Sequence, residues 1–348
     1  MEASLYVERS AGLTRRVLLD RDGHAFRIDL AAPVLESQPA VGEIWAAKLG
    51  PRIGPQDWAV DFGDGLRGAI RRPRTLTASL GTLLAVEIVS ESHADKGPSA
   101  RLRKDIALDG RTAPGRISEP STDPFLAGVS VIETIEDRNA AAVCDEAFEA
   151  AIAERIALPT GGAVWIERTH ALTAIDVDSA GLPSRENLRG LNARAAQTLV
   201  RHLALRGTGG LCVIDFAGAV REPERPELLG LLRRELPALT ARPCDIMGIS
   251  RFGLCELTIA RTTRSLQDAL DLLTPAGLMG LEALRRIERA HETEPRRRVL
   301  TEAPEAALQW LETSLPDWKN LLADRIGVNW RLDPAGDCAT TVGVRSER

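Results

Sequence analysis

No apolar run in this chain approaches the ~20 residues that a membrane-spanning helix needs. Met1 to Leu13 carries Glu2 and Glu8 and shows neither a basic leader nor an extended apolar centre, so no signal peptide and a cytoplasmic location are expected. Cysteine is sparse. Cys144, Cys212, Cys244, Cys255 and Cys338 are odd in number and include no Cys-x-x-Cys pair, which argues against a disulfide frame and a four-cysteine zinc site. Reduced thiols are the expectation. An excess of positive charge is lacking too. The formal net charge of −5 argues, as a sum, against a partner rich in phosphate. Distribution can overrule it: basic residues gather at Arg67, Arg71, Arg72 and Arg74, at Arg101, Arg103 and Lys104, and at Arg296 to Arg298. Their guanidinium forks suit phosphates and carboxylates equally. No internal repeat is visible.

What is present is an ordinary globular composition, 44% hydrophobic and 27% charged over 348 residues, long enough for about two or three domains. Residues 1 to 32 alternate apolar and polar and turn at Asp20-Arg-Asp-Gly23, as a β-hairpin does. From Val41 to Leu108 the chain is β-rich and punctuated by glycine, which predicts a small barrel. Residues 109 to 135, rich in Gly, Pro, Ser and Thr, read as a connector. A helix is expected from Glu136 to Ile156. Further on come a strand at Gly253 to Ile259, helices near 265–273, 278–291 and 304–322, and a β-like tail.

Two apolar segments ending in acids stand out: Ala171-Leu-Thr-Ala-Ile-Asp-Val-Asp178 and Leu211-Cys-Val-Ile-Asp215. In a strand, Asp176 and Asp178 share a face with Cα atoms roughly 7 Å apart. Leu211 to Phe216 reads as a strand buried on both faces, with its acid near the carboxyl end, where open α/β sheets carry their sites. Between them Leu188, Leu191, Ala195, Leu199 and Leu203 form one apolar helical stripe that ends at Gly207-Thr-Gly-Gly210. The unit is βαβ-like, although the sequence leaves open whether its strands are parallel and adjacent. Three carboxylates aimed at one point suit a hard cation. Strand-end acids that cap turns or pair with arginine are the alternative, and Asp178 in particular can cap the turn at Ser179-Ala-Gly181.

Four blocks in order carry a resemblance: Leu158-Pro-Thr-Gly-Gly-Ala-Val-Trp-Ile-Glu167, the segment ending at Asp178, Gly209-Gly-Leu-Cys-Val-Ile-Asp-Phe216, and Ile249-Ser-Arg-Phe-Gly-Leu-Cys-Glu256. Together they resemble the catalytic core of the ribonuclease E/G family. Val60-Asp-Phe-Gly63 and Ala94-Asp-Lys-Gly-Pro98 resemble segments of that family's S1-type barrel. The resemblance implies a multidomain α+β and α/β fold. An RNase H-like subdomain (1–35 and 108–157) would receive an inserted S1-like OB barrel (36–107), followed by a DNase I-like catalytic subdomain (158–270) and a small C-terminal domain (271–348).

It also implies a magnesium-dependent endoribonuclease acting on single-stranded RNA through metal-activated water, leaving 5′-phosphate and 3′-hydroxyl ends. Asp176 and Asp215 would hold magnesium or manganese, and Asp178, where the family commonly has asparagine, would assist directly or through water. A third acid adds repulsion, on the order of 4 kcal/mol for unit charges 4 Å apart at an effective dielectric of 20. Lys96, Arg251, Asn192, Trp58 and Phe62 are the RNA-binding candidates. Arg251 equally suits a structural ion pair, Asn192 a loop-positioning hydrogen bond, and Phe62 the barrel core. The family's base-stacking positions fall on Ala59 and Ala69. His170 and His202 read as ordinary residues.

The chain departs from the family in two further places. Residues 108 to 151 are too short for the 5′-end sensor, and Gln267-Asp-Ala-Leu-Asp-Leu-Leu-Thr274 replaces the zinc-linking Cys-x-x-Cys. No zinc is expected, and the protein is expected to be a monomer or a zinc-independent homodimer. The rival reading is a non-catalytic RNA-binding protein serving the ribosome or ribosomal-RNA maturation; a third is a structural α/β protein without RNA.

Overall fold

A computed structural model describes residues 1–71, 77–93, 96–159, 161–181, 185–218, 220, 224–335 and 343–347. Arg72, Arg74, Ala94, Asp95, Thr160 and Cys338 lie outside the described residues.

The chain opens with β1 (Glu2–Ser10), β2 (Leu13–Leu19), β3 (Ala25–Ala31) and the short α1 (Pro33–Glu36). The hairpin expected at Asp20–Gly23 joins β2 to β3, and a second turn at Ala11-Gly12 adds β1. Gly12 sits at φ +77, close against a Leu315 methyl, and it is the left-handed backbone conformation that favours glycine there.

The barrel follows as β4 (Ile44–Arg52), β5 (Asp57–Gly63), β6 (Leu66–Arg71), β7 (Leu83–Ser90) and β8 (Ser99–Leu102). It closes in the order β4-β5-β6-β8-β7 and back to β4, a five-stranded closure consistent with the OB type. Inward residues at alternate positions, among them Leu49, Val60, Phe62, Ile70, Val86 and Ile88, fill its centre and are at most 2% exposed.

The segment expected to be a connector supplies two strands, β9 (Gly115–Ser118) on β4 and β10 (Ser130–Ile135) parallel to β1. Both are short edge strands paired on one side only, so they bury little and their sequences keep the polar texture of loops. Next, α2 (Arg138–Ile152) packs on β1 and β2, and Asp137 caps it by accepting from Asn139 N–H and Ala140 N–H.

A six-stranded sheet then forms from β11 (Arg155–Ala157), β12 (Ala163–Arg168), β13 (Thr173–Asp178), β14 (Gly210–Asp215), β15 (Cys244–Ile249) and β16 (Leu254–Ile259), with α3 (Arg185–Leu205) and α4 (Glu224–Thr240) between strands. Its order is β11-β12-β13-β14-β16-β15. The parallel, adjacent pair β13–β14 settles the βαβ topology. Leu191, Ala195, Leu199 and Leu203 of α3 and Leu228, Leu232 and Leu236 of α4 cover one face, all at most 4% exposed.

The other face is open, which corrects the expectation that β14 is buried on both sides. Cys212 and Ile214 are fully buried, whereas Leu211 is 39% exposed and Asp215 is exposed. Both helical connections return on the same side, so among the described residues no helix shields the acids.

The remainder comprises α5 (Leu266–Thr293), β17 (Arg298–Pro304), α6 (Glu305–Ser314), α7 (Trp318–Ile326), β18 (Trp330–Ala335) and β19 (Gly343–Glu347). The two helices expected before His291 are the halves of α5, which kinks at Thr274, φ 62, ahead of Pro275. The single helix expected at 304–322 breaks at Leu315-Pro316 into α6 and α7. No described helix is long and apolar enough to cross a membrane.

Candidate metal centre

Register brings the acids together. Asp176 of β13 is the direct partner of Asp215 of β14, and neighbouring strands run about 4.8 Å apart. Asp178 lies two residues further along the same face. All three side chains are exposed on the open side of the sheet, while Ile175, Val177 and Ile214 between them point into the α3 and α4 core. Partial burial, and then the charges of Asp215, Asp178 and Glu167, raise the Asp176 pKa. Like charges held this close are what a divalent cation relieves, and magnesium favours one or two carboxylates with water completing the shell. The donor set fits that ion.

Asp178 behaves differently from the pair. One of its carboxylate oxygens accepts from the Ala180 N–H at 2.8 Å, the turn-capping role anticipated as its alternative. The three acids do not form a close cluster of ligand atoms. The set of three that does, all within 4.8 Å among the described residues, is Asp20, Asp22 and His24. There the geometry is an Asp-turn: Asp20 accepts from the N–H groups of Asp22 and His24 and pairs with Arg201.

Asn192 is 2% exposed and holds the loop after β14 at two points. Its Nδ2 donates to the Ala217 carbonyl at 3.1 Å, and its Oδ1 accepts from the Ala217 N–H at 3.0 Å. A side chain so enclosed does not reach RNA, which corrects the RNA-contact expectation in favour of loop positioning. Phe62 is corrected likewise: it is 2% exposed and meets the Trp45 ring edge-on at 5.8 Å in the barrel core. Trp58 shares that inward face but stays half-buried.

Arg251 is exposed and stacks its guanidinium 4.7 Å over the Phe252 ring. Its turn, Ser250 to Gly253, precedes Leu254, the partner of Asp215, so Arg251 stands at the acids' end of the sheet. Lys96 does not. Its loop bonds to His93 and follows Ser90 and Glu91, which are fastened to Arg261 and Thr262 past the far end of β16. That opposite edge holds a cleft of about 540 Å³ lined by His93, Arg206, Gly207 and Arg261. The three exposed acids lie at the other end of the sheet from this cleft.

Sequence reasoning missed Glu167, which faces Asp176 from β12. The signal was available: in Ala163-Val-Trp-Ile-Glu167, alternation puts Trp165 and Glu167 on one face, and Trp165 pairs with Asp176. It also missed why Gly162 is glycine. At φ +81, a Cβ there would meet the Asp178 carbonyl oxygen at 2.5 Å.

Burial, with help from Arg206, lowers the His202 pKa to about 4. Cys144, Cys212 and Cys255 are free thiols that burial pushes up to about 11.

The raised Asp176 pKa has a stability consequence. The folded state favours its protonated form, so the penalty is absent below the ordinary carboxylate range near 4 and fully present above the raised folded value. Asp176→Asn removes it. Without metal, the variant is expected to melt higher than the parent at pH 7, the difference fading as pH falls below about 4. Magnesium should raise the melting temperature of the parent only. A thermal scan with and without the ion checks both.

Residues 120–262 match the Ribonuclease E/G family. Ribonuclease E of Haemophilus influenzae is 36% identical over 132 residues, 37% of this chain and 14% of that protein. Ribonuclease E of Synechocystis is 38% identical over 122 residues, 34% and 18% of the two. Ribonuclease G of Escherichia coli is 30% identical over 127 residues, 35% and 26% of the two. The aligned part thus spans at most about a quarter of these relatives. The matched segment runs from the connector through the sheet and contains Asp176, Asp178, Asp215, Asn192 and Arg251. Over residues 120–262, then, this chain is similar to the ribonuclease E/G family.

Proposed function

We propose that the protein is a magnesium-dependent endoribonuclease that cuts single-stranded RNA, with Asp176 and Asp215 holding the metal and manganese as a substitute. One observation carries the reading: two carboxylates paired in register at the end of a parallel strand pair, on an open sheet face. A bound magnesium ion would neutralise charge on the phosphodiester and lower the pKa of a coordinated water. The chain itself supplies position. β13 and β14 hold the two acids side by side, Asp178 keeps one oxygen on its turn and adds negative potential beside them, and Arg251 offers a phosphate contact at the same end. An open face suits a polymer that must lie across it.

In this reading the six-stranded sheet is the DNase I-like unit and the first sheet with α2 the RNase H-like unit. Lys96 and half-buried Trp58 mark the barrel as an RNA-binding module at the far edge, about 17 Å along β14 from the acids. With Phe62 in the core and Ala59 opposite Ala69 on the barrel wall, few stacking platforms remain. Each is worth ~1–3 kcal/mol, so barrel affinity should be modest. Cleavage leaves 5′-phosphate and 3′-hydroxyl ends, and the protein works as a monomer or as a homodimer without zinc.

The test is an end-labelled AU-rich oligonucleotide incubated with magnesium and, in parallel, with excess chelator. Cutting confined to the magnesium arm supports the enzyme. Full activity in chelator sinks the metal mechanism, and binding without cutting in either arm supports the non-catalytic RNA-binding rival.

A further inference from the structure

We infer that Asn192 is a positioning residue for the metal centre, acting through the loop behind Asp215; this rests on the metal-centre reading above. Asn192 belongs to α3, on the covered face of the sheet, and its amide spans both backbone polar groups of Ala217, two residues past Asp215. A buried side chain that satisfies a donor and an acceptor of one residue fixes that residue's position and orientation. The loop leaving β14 therefore cannot pivot, and Asp215, its last strand residue, is held in register with Asp176.

The adjacent helical residue does the same for the other strand. Leu191 is 2% exposed. A Cβ built on Gly162 would lie 3.0 Å from a Leu191 methyl and 2.5 Å from the Asp178 carbonyl oxygen. Gly162 is thus pressed between Leu191 and the end of β13. One turn of α3 backs both acid-bearing strand ends, and the spacing of the carboxylates is set from behind the sheet. Residues that orient metal ligands without touching the metal commonly change metal affinity 10–100-fold when replaced.

The experiment compares parent, Asn192→Ala, Asn192→Asp and Asp215→Asn for manganese binding by titration, for RNA affinity in chelator and for thermal stability. Asn192→Asp keeps an acceptor for the Ala217 N–H and loses the donor to the carbonyl, so it serves if the alanine variant does not fold. The expected result is a folded variant whose manganese affinity drops about tenfold or more, with RNA affinity unchanged. Unchanged manganese affinity in a folded Asn192 variant overturns the inference, and a loss of RNA affinity alone would make Asn192 an RNA contact instead. Should Asp215→Asn bind manganese like the parent, the metal-centre reading itself fails, whatever Asn192 does.

Discussion

Asp215→Asn is expected to lower the magnesium-dependent rate on single-stranded RNA by about three orders of magnitude while leaving the fold intact. A metal ion contributes several kcal/mol of transition-state stabilisation in phosphodiester cleavage, and each ~1.4 kcal/mol is a factor of ten. On the proposed reading, removing one of two carboxylate ligands forfeits most of that. The substitution is nearly isosteric, and Asp215 is exposed on the open sheet face, so no core contact is lost. Asp178→Asn is a natural comparison, because the amide oxygen can still accept from the Ala180 N–H; its rate should change far less. Initial rates across a magnesium titration separate the cases. An Asp215→Asn rate equal to the parent's at saturating magnesium would show that the ligand set has been misassigned.

The βαβ unit was legible because its signals are local. An unbroken 3.6-residue stripe, a glycine stop and an acid at the end of each apolar run suffice to predict strand, helix and strand, and the family blocks then singled out Asp176 and Asp215. What stayed hidden depends on partners distant in sequence. Neither the openness of one sheet face nor the pairing of Asp176 with Asp215 could be read until the crossovers were seen to return on the same side. Asn192 looked like an RNA contact because an asparagine on a helix carries no mark of what it faces; only the fold brings Ala217 to it. Phe62 shows the opposite case, where alternation with Val60 already pointed inward. Strands β9 and β10 escaped notice because each is an edge strand that borrows its hydrogen bonds from a partner remote in sequence.

The same blindness to distant pairing covers the ionic network that fastens the first sheet to the C-terminal half, and Asp145→Asn should expose it with a loss of about 3 kcal/mol. Asp145 on α2 accepts from Arg15 at 2.7 Å, from Arg285 at 2.6 Å and from Arg289 at 2.7 Å. Glu8 of β1 pairs with the same three arginines. Arg15 is only 5% exposed at its side chain and Arg285 13%, so both depend on these acids to offset the cost of burying charge. Breaking one partner of a buried pair costs about 3–5 kcal/mol. The lower figure applies because the Asp145 side chain keeps 30% exposure and Glu8 remains.

Burial alone would raise the Asp145 pKa, but hydrogen bonds from Arg289 and Arg15 and the charge of Arg285 overcome it and hold the group at about 2. A depressed folded value means that the stabilisation is fully present above the ordinary carboxylate range and is lost as pH falls from about 4 to about 2. The parent's advantage over Asp145→Asn in urea denaturation should accordingly be constant from neutral pH to about 5 and shrink below about 4. A gap that persists unchanged at the acid end would mean that the aspartate acts through packing rather than charge. Because Asp145 lies far from the acids in the fold's connectivity, on α2 rather than on the six-stranded sheet, metal affinity measured on the folded variant should match the parent's. On the proposed metal reading the two properties are expected to separate: Asp145→Asn lowers stability and leaves metal affinity alone, whereas Asp176→Asn raises stability and lowers metal affinity.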